Sequence, residues 1–145
     1  MYSLPLGKKE IEAILPHRDP FLLIDEVIEL EPGVRAVARK TVRPDEWYLA
    51  GHFPNRPVMP GVLMVEGMAQ TGAVLVLSLE KNRGKMALFA GIDEVRFKRI
   101  VTVGDVLEYT CEIETSRGPI GRGTVLATVD GRLAVRGTLT FAVEQ

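Results

Sequence analysis

"VLMVEGMAQTGAVLVLSL", residues 62–79, decides how this chain folds. Only Glu66, Gln70, Thr71 and Ser78 are polar in that run, so a helix built from it is apolar on every side. Its length alone would suit a membrane span. Glu66 and Gln70 would then sit in hydrocarbon, Gly67 and Gly72 would interrupt the run, and the chain offers no second span. The pattern therefore predicts a helix buried inside a globular fold, starting at about Gly61.

Outward from this helix, the flanking segments read as strands. Before it, "FLLIDEVIEL" (21–30) and "VRAVARKTVR" (34–43) flank the turn signal "EPG" and predict two strands; in the second, Val34, Ala36 and Ala38 face one way and Arg35 and Arg39 the other. A short surface helix over "KKEIEAIL" (8–15) is expected to end at Pro16. After the long helix come "MALFAGID" (86–93), "EVRFKRIV" (94–101), "VLEYTCEIETSR" (106–117), "GRGTVLATVD" (121–130) and "RLAVRGTLTFAVE" (132–144). Turn signals at "VGD" (103–105), "RGPIG" (117–121) and "DG" (130–131) keep the connections short, so the sheet should be mostly antiparallel. The expected class is α+β: one domain over residues 1–145, a long central apolar helix wrapped by five to seven strands.

Composition limits the function classes. The 18 basic and 19 acidic residues leave a net charge of -1, which steers the chain neither to nucleic acid nor to an anionic membrane. The single cysteine, Cys111, excludes an internal disulfide, and two histidines without Cys/His spacing argue against structural zinc. A reducing cytoplasm is the expected location. "MYSLPLGKKEIEAIL" lacks the apolar core of an export signal and reads as part of the folded protein.

The chemistry concentrates in "GHFPNRPVMPGVLMVEGMAQ" (51–70). Pro54, Pro57 and Pro60 make residues 53–60 a stiff, non-helical lead-in. The first amides of the helix have no partner within it, and Gly61 lets a ligand oxygen come close, which suits an oxyanion site. Glu66 lies about one and a half turns in, with Gln70 four residues on and able to hydrogen-bond its carboxylate. Apolar surroundings from Val62, Leu63, Val65 and Ala69 would desolvate the carboxyl and favour its protonated, proton-donating form. An ordinary imidazole titrates near neutral pH, so His52 is a candidate base. Plainer readings stand beside these: His52 as a loop residue making one backbone hydrogen bond, and Glu66 as the structural partner of an arginine such as Arg18 or Arg56.

Four stretches together carry a resemblance: "LPHRDPFLLIDEV" (15–27), "GHFPNRPVMPGVLMVEGMAQ" (51–70), "AGIDEVRFKR" (90–99) and "GD" (104–105). Over nearly the whole chain, the sequence resembles the (3R)-hydroxyacyl-[acyl-carrier-protein] dehydratases of bacterial fatty acid synthesis, the FabZ type. The resemblance implies the hot-dog fold, and a homodimer with shared active sites in which the histidine comes from one subunit and the glutamate from the other. Dimers of this kind often associate as a trimer of dimers. It implies loss of water from a (3R)-3-hydroxyacyl thioester to give the trans-2-enoyl thioester, with no metal or redox cofactor. The substrate would arrive on the phosphopantetheine of acyl carrier protein, and the product would feed phospholipid or lipid A synthesis. His52 and Glu66 match the catalytic pair, Gly61 the glycine whose amide binds the thioester carbonyl, and Gln70 the glutamine that positions the carboxylate. Ile100 and Val103 stand where the family commonly has proline, and His17 recurs in it without a role beyond a structural hydrogen bond.

Two further sets follow from position. Phe89, Met59 and Met64 are candidates for an apolar tunnel, Phe89 resembling the aromatic that gates it in relatives. In "EVRFKR", strand alternation should expose Arg96 and Lys98 to an acidic carrier while Phe97 packs inward. The competing functions are the bifunctional dehydratase-isomerase, which typically has aspartate where Glu66 stands, a hot-dog thioesterase, and a non-catalytic acyl-binding module.

Overall fold

A computed structural model describes residues 2–144. In chain order it has α1 (Lys8–Ile14), β1 (Glu26–Glu31), β2 (Arg35–Thr41), α2 (Gly61–Leu77), a 3₁₀ turn (Glu80–Asn82), β3 (Ala87–Phe97), β4 (Val106–Arg117), β5 (Ile120–Val129) and β6 (Arg132–Val143). The six strands form one sheet in the order β1-β2-β4-β5-β6-β3, every neighbour antiparallel. The β5–β6 connection shows why the sequence turns there: Asp130 and Gly131 both take positive φ, 51° and 76°, as a two-residue hairpin turn of this hand requires.

The apolar run forms α2 and packs against all six strands, so the sheet curves around it. With 17 residues the helix spans about 26 Å, short of the roughly 30 Å of a hydrocarbon core. No described helix is long and apolar enough to cross a membrane. Its glycines are explained by close approach: a Cβ on Gly67 would lie 2.4 Å from the Tyr109 ring of β4, and one on Gly72 would lie 2.3 Å from the Phe141 ring of β6. The helix therefore gives up some intrinsic helix propensity so that two large rings can seat directly on its backbone. Asn82, buried just beyond, donates from Nδ2 to the Val76 carbonyl at 2.8 Å and satisfies one of the last helical acceptors.

Two strand expectations change. Residues 86–93 and 94–101 do not form separate strands: β3 runs through Asp93 and Glu94, staying paired to β6 by register shifts at Phe89/Gly91 and Asp93/Arg96, with Glu94 at φ 51°. The first strand begins at Glu26 rather than at Phe21, because residues 21–25 spend their polar groups elsewhere. The Asp25 carboxylate accepts from the Thr41 amide at 2.8 Å, and the Phe21 and Leu23 backbones bind a side chain of α2. Buried Lys40 places its ammonium 2.8 Å from Glu46 Oε2, which fixes the end of β2 to the loop that leads to His52.

Candidate functional site

The loop before α2 is stiffened by more than its prolines. Phe53 and Arg56 exchange backbone hydrogen bonds of 3.0 Å in both directions, and the Val58 amide donates to the His52 carbonyl at 2.8 Å. The Met59 amide then donates to Val101 at 2.8 Å, and Thr102 Oγ1 donates to the Pro57 carbonyl at 2.8 Å, so the lead-in is held from both sides. His52 Nδ1 lies 2.8 Å from the Val58 carbonyl. A carbonyl can only accept, so Nδ1 carries a hydrogen, and in the neutral ring the lone pair is then on Nε2. Phe53 stacks on the imidazole at 4.1 Å between centroids, which fixes the plane of the ring.

His52 lines an apolar cleft of about 340 Å³ together with Met59, Gly61, Met64, Phe97 and Arg99. Gly61 is the first residue of α2, so its amide is among those that the helix leaves without an internal acceptor. The helix end and the imidazole thus share one cleft. A Cβ on Gly61 would lie 2.6 Å from Phe97 Cε1, so the glycine also makes room for that ring. Phe97 was expected to pack inward; it rests on Gly61 yet stays 52% exposed in the single chain.

Glu66 is held by different means. Gln70, fully buried, accepts the Leu23 amide on Oε1 at 2.8 Å and donates from Nε2 to the Phe21 carbonyl at 2.8 Å and to Glu66 Oε2 at 2.9 Å. Both donors of the amide are used, and the amide cannot be reversed without facing N–H with N–H. His17 Nε2 lies 3.6 Å from the same carboxylate oxygen, while its Nδ1 is buried without a partner. Burial lowers the His17 imidazole below its ordinary value, opposed by the Glu66 charge, so neutral imidazole is favoured beside Glu66. The alternative reading of Glu66 as an arginine's partner finds no such ion pair among the described residues: Arg18 Nη1 donates to the Leu15 and His17 carbonyls instead. The Glu66 side chain remains 18% exposed and opens on a cleft of about 200 Å³ that includes Ala69, Ala73, Leu88, Phe89 and Phe141.

One chain therefore brings His52 and Gly61 together, and Glu66 and Gln70 together, but the two pairs line clefts that share no residue. The tunnel candidates divide in the same way: Met59 and Met64 belong to the His52 cleft, where both are buried, and Phe89 to the Glu66 cleft, partly exposed. Arg96 and Lys98 are exposed at and just past the end of β3. Sequence reasoning overlooked Arg99, which is exposed and lines the His52 cleft itself. It also gave His17 no function, because only the fold sets residue 17 beside residue 66. The lone thiol offers no nucleophile: burial pushes Cys111 up to about 12.

Comparison with known proteins adds the remaining facts. The FabA-like domain family matches residues 15–138. A 3-hydroxyacyl-[acyl-carrier-protein] dehydratase FabZ of Roseiflexus sp. (strain RS-1) is 59% identical over 135 residues, covering 93% of this chain and 94% of that protein. The FabZ dehydratase of Staphylococcus carnosus (strain TM300) is 58% identical over 135 residues, covering 93% of each. Among solved structures, the dehydratase heterocomplex ApeI:P of Xenorhabdus doucetiae superposes with a TM-score of 0.78 at 22% identity, covering 99% of this chain and 93% of that one. A hypothetical thioesterase with coenzyme A from Streptococcus pneumoniae TIGR4 gives a TM-score of 0.65 at 17% identity, covering 82% and 84%. At such identities the two structures establish the fold alone.

Proposed function

The chain belongs to the FabA-like family and, within it, to the FabZ-type 3-hydroxyacyl-[acyl-carrier-protein] dehydratases, and from that premise we propose how it removes water from a (3R)-3-hydroxyacyl thioester. It is a lyase of fatty acid synthesis, acting on acyl groups carried by acyl carrier protein. His52 Nε2 takes the α-proton while the Gly61 amide, at the positive end of α2, stabilises the negative charge that develops on the thioester oxygen. The electron pair of the broken C–H bond forms the double bond, and the C–O bond to the 3-hydroxyl breaks. Protonated Glu66 gives its proton to that hydroxyl, which leaves as water. Gln70 and His17 orient the carboxyl group.

The observation that carries this scheme is the Nδ1 contact of His52 to the Val58 carbonyl, which makes Nε2 the basic nitrogen of the neutral ring on a residue that lines the same cleft as the start of α2. Glu66 lies in another cleft, so the scheme needs a second copy of the chain to bring the two groups together. Exposed apolar side chains available for burial between copies include Val62, 71% accessible, with Phe53, Leu88, Ile92, Phe97 and Ile100. β3, which carries three of these, ends the sheet and leaves one edge unpaired by the chain itself. Homodimers with composite sites, and their assembly as a trimer of dimers, are part of this proposal. So are a cytoplasmic location and the treatment of the chain as one catalytic domain, the latter supported by a hydrophobic cluster continuous from Leu6 to Val143.

The test supplies one 3-hydroxyacyl thioester and follows enoyl formation, movement of the double bond to the 3-enoyl position, and release of free thiol. Enoyl product without thiol release is expected. Thiol release as the main event would replace the dehydratase by a thioesterase, and 3-enoyl product would make it an isomerase as well.

A further inference from the structure

The Glu66 cleft ends on a ring that also walls a second cavity. Phe141 of β6 is the one residue common to the linings of the Glu66 cleft, about 200 Å³, and of another cavity of about 310 Å³. It is 2% exposed, sits directly on Gly72, and pairs with Phe89 on one side and Gly121 on the other. The cavities follow one another along α2: Glu66, Ala69 and Ala73 line the first, and Val76 with Leu79 just past the helix line the second. Ile113, Ile120 and Val143 make much of the second cavity apolar, alongside Lys81 and Lys85. Gly121 lines it too, and although the residue is buried, a Cβ there would meet nothing within 4 Å.

From this arrangement, and resting on the dehydratase reading, we infer that Phe141 is the end wall of the acyl cleft and sets the length of chain the enzyme accepts. An acyl chain whose 3-hydroxyl is at Glu66 extends along Ala69 and Ala73 toward the Phe141 ring. A short chain fits in front of the ring. A longer one needs the ring withdrawn, and the cavity beyond Phe141 then receives its tail. The small side chains at Ala69 and Ala73 keep the near section open, and glycine at position 121 keeps the far section empty.

The experiment measures kcat/KM for a short-chain and a long-chain 3-hydroxyacyl thioester, both on a pantetheine analogue, with wild type, Phe141→Leu and Phe141→Ala. The long-to-short ratio is expected to rise about tenfold when the ring is removed, the scale on which an apolar pocket discriminates by size. Adding Gly121→Leu to either variant refills the far cavity and should return the ratio to the wild-type value. Phe141→Leu, which keeps apolar bulk against Gly72, decides the matter if Phe141→Ala does not fold. A flat ratio in a folded variant that still forms enoyl product overturns the inference and leaves the dehydratase reading intact, as does a gain that survives Gly121→Leu. Absence of enoyl product from wild type with either chain overturns both.

Discussion

His52 is fixed by backbone only a few positions downstream, at Val58, whereas the amide that fixes Glu66 is itself tied to Phe21 and Leu23, 49 and 47 positions away. His52, the proposed base, is held by local geometry, a proline-stiffened loop that returns a carbonyl to the imidazole. Glu66, the proposed acid, is held by tertiary structure, since its support exists only when the 17–23 segment has docked on α2. Substitutions around His52 should therefore change chemistry and leave stability nearly untouched, while those around Glu66 should change both.

The two regions belong either to one site within a chain or to one site between chains. His52→Ala and Glu66→Gln should each lower turnover about a thousandfold, the usual scale for a positioned acid or base. If composite sites form across a two-fold axis, mixing the two inactive chains restores one intact site in every mixed dimer. Random pairing then returns roughly a quarter of wild-type activity. Two groups acting within a single chain would give no recovery, and turnover of the unfolded and refolded mixture distinguishes the two.

Gln70→Leu comes next in size and probes the tertiary support. It leaves the Leu23 amide and the Phe21 carbonyl without their partner in a buried place, at a cost of about 1–3 kcal/mol for each unsatisfied group. Glu66 loses its orienting amide at the same time. Denaturant melts should show the loss of stability and steady-state kinetics a fall in kcat, whereas His52→Ala should leave the melt near wild type. Equal stability losses in the two variants would erase the distinction between local and tertiary support.

That contrast also explains how much could be read from the sequence. The prolines, Gly61, and the i to i+4 spacing of Glu66 and Gln70 act over one or two turns of chain, so the start of the helix and the pairing of its two polar groups were legible. The single strand β3 was not, because Gly91 and the acidic Asp93–Glu94 pair look like a turn. Only pairing with β6, across register shifts, keeps the chain extended there. His17 beside Glu66 and Phe141 on Gly72 are invisible for the same reason: each is a contact between segments far apart in the sequence. Arg99 is not legible from strand alternation, because β3 ends at Phe97.

Charge separates the two regions as well. Arg99 lines the His52 cleft, with Arg96 and Lys98 exposed nearby in the chain, and no cationic lysine or arginine lines the Glu66 cleft. An acidic carrier should therefore approach from the His52 side. Reversing Arg96, Lys98 and Arg99 to glutamate should raise KM about tenfold for carrier-bound substrate at low salt, with the effect fading as salt screens it. A short thioester analogue should show little change. An equal rise for both substrates would place these residues in the cleft chemistry rather than in docking.

The smallest effect concerns the electrostatic environment of Glu66. Burial lowers the His17 imidazole below its ordinary 6.5, and the Glu66 charge works against that shift. Burial outweighs that charge, so the unfolded chain binds this proton more readily than the folded one, and the His17 contribution to stability is whole above 6.5 and is lost as the pH falls below it. His17→Asn removes that titration, and the stability of the variant should decline less steeply in acid than that of wild type. Titrations common to both proteins cancel in the difference, which chemical denaturation at stepped pH measures directly. A steeper decline in the variant would mean that Glu66 holds a proton on His17, making the pair an ion pair. Glu66 would then be charged where the proposed mechanism needs it protonated.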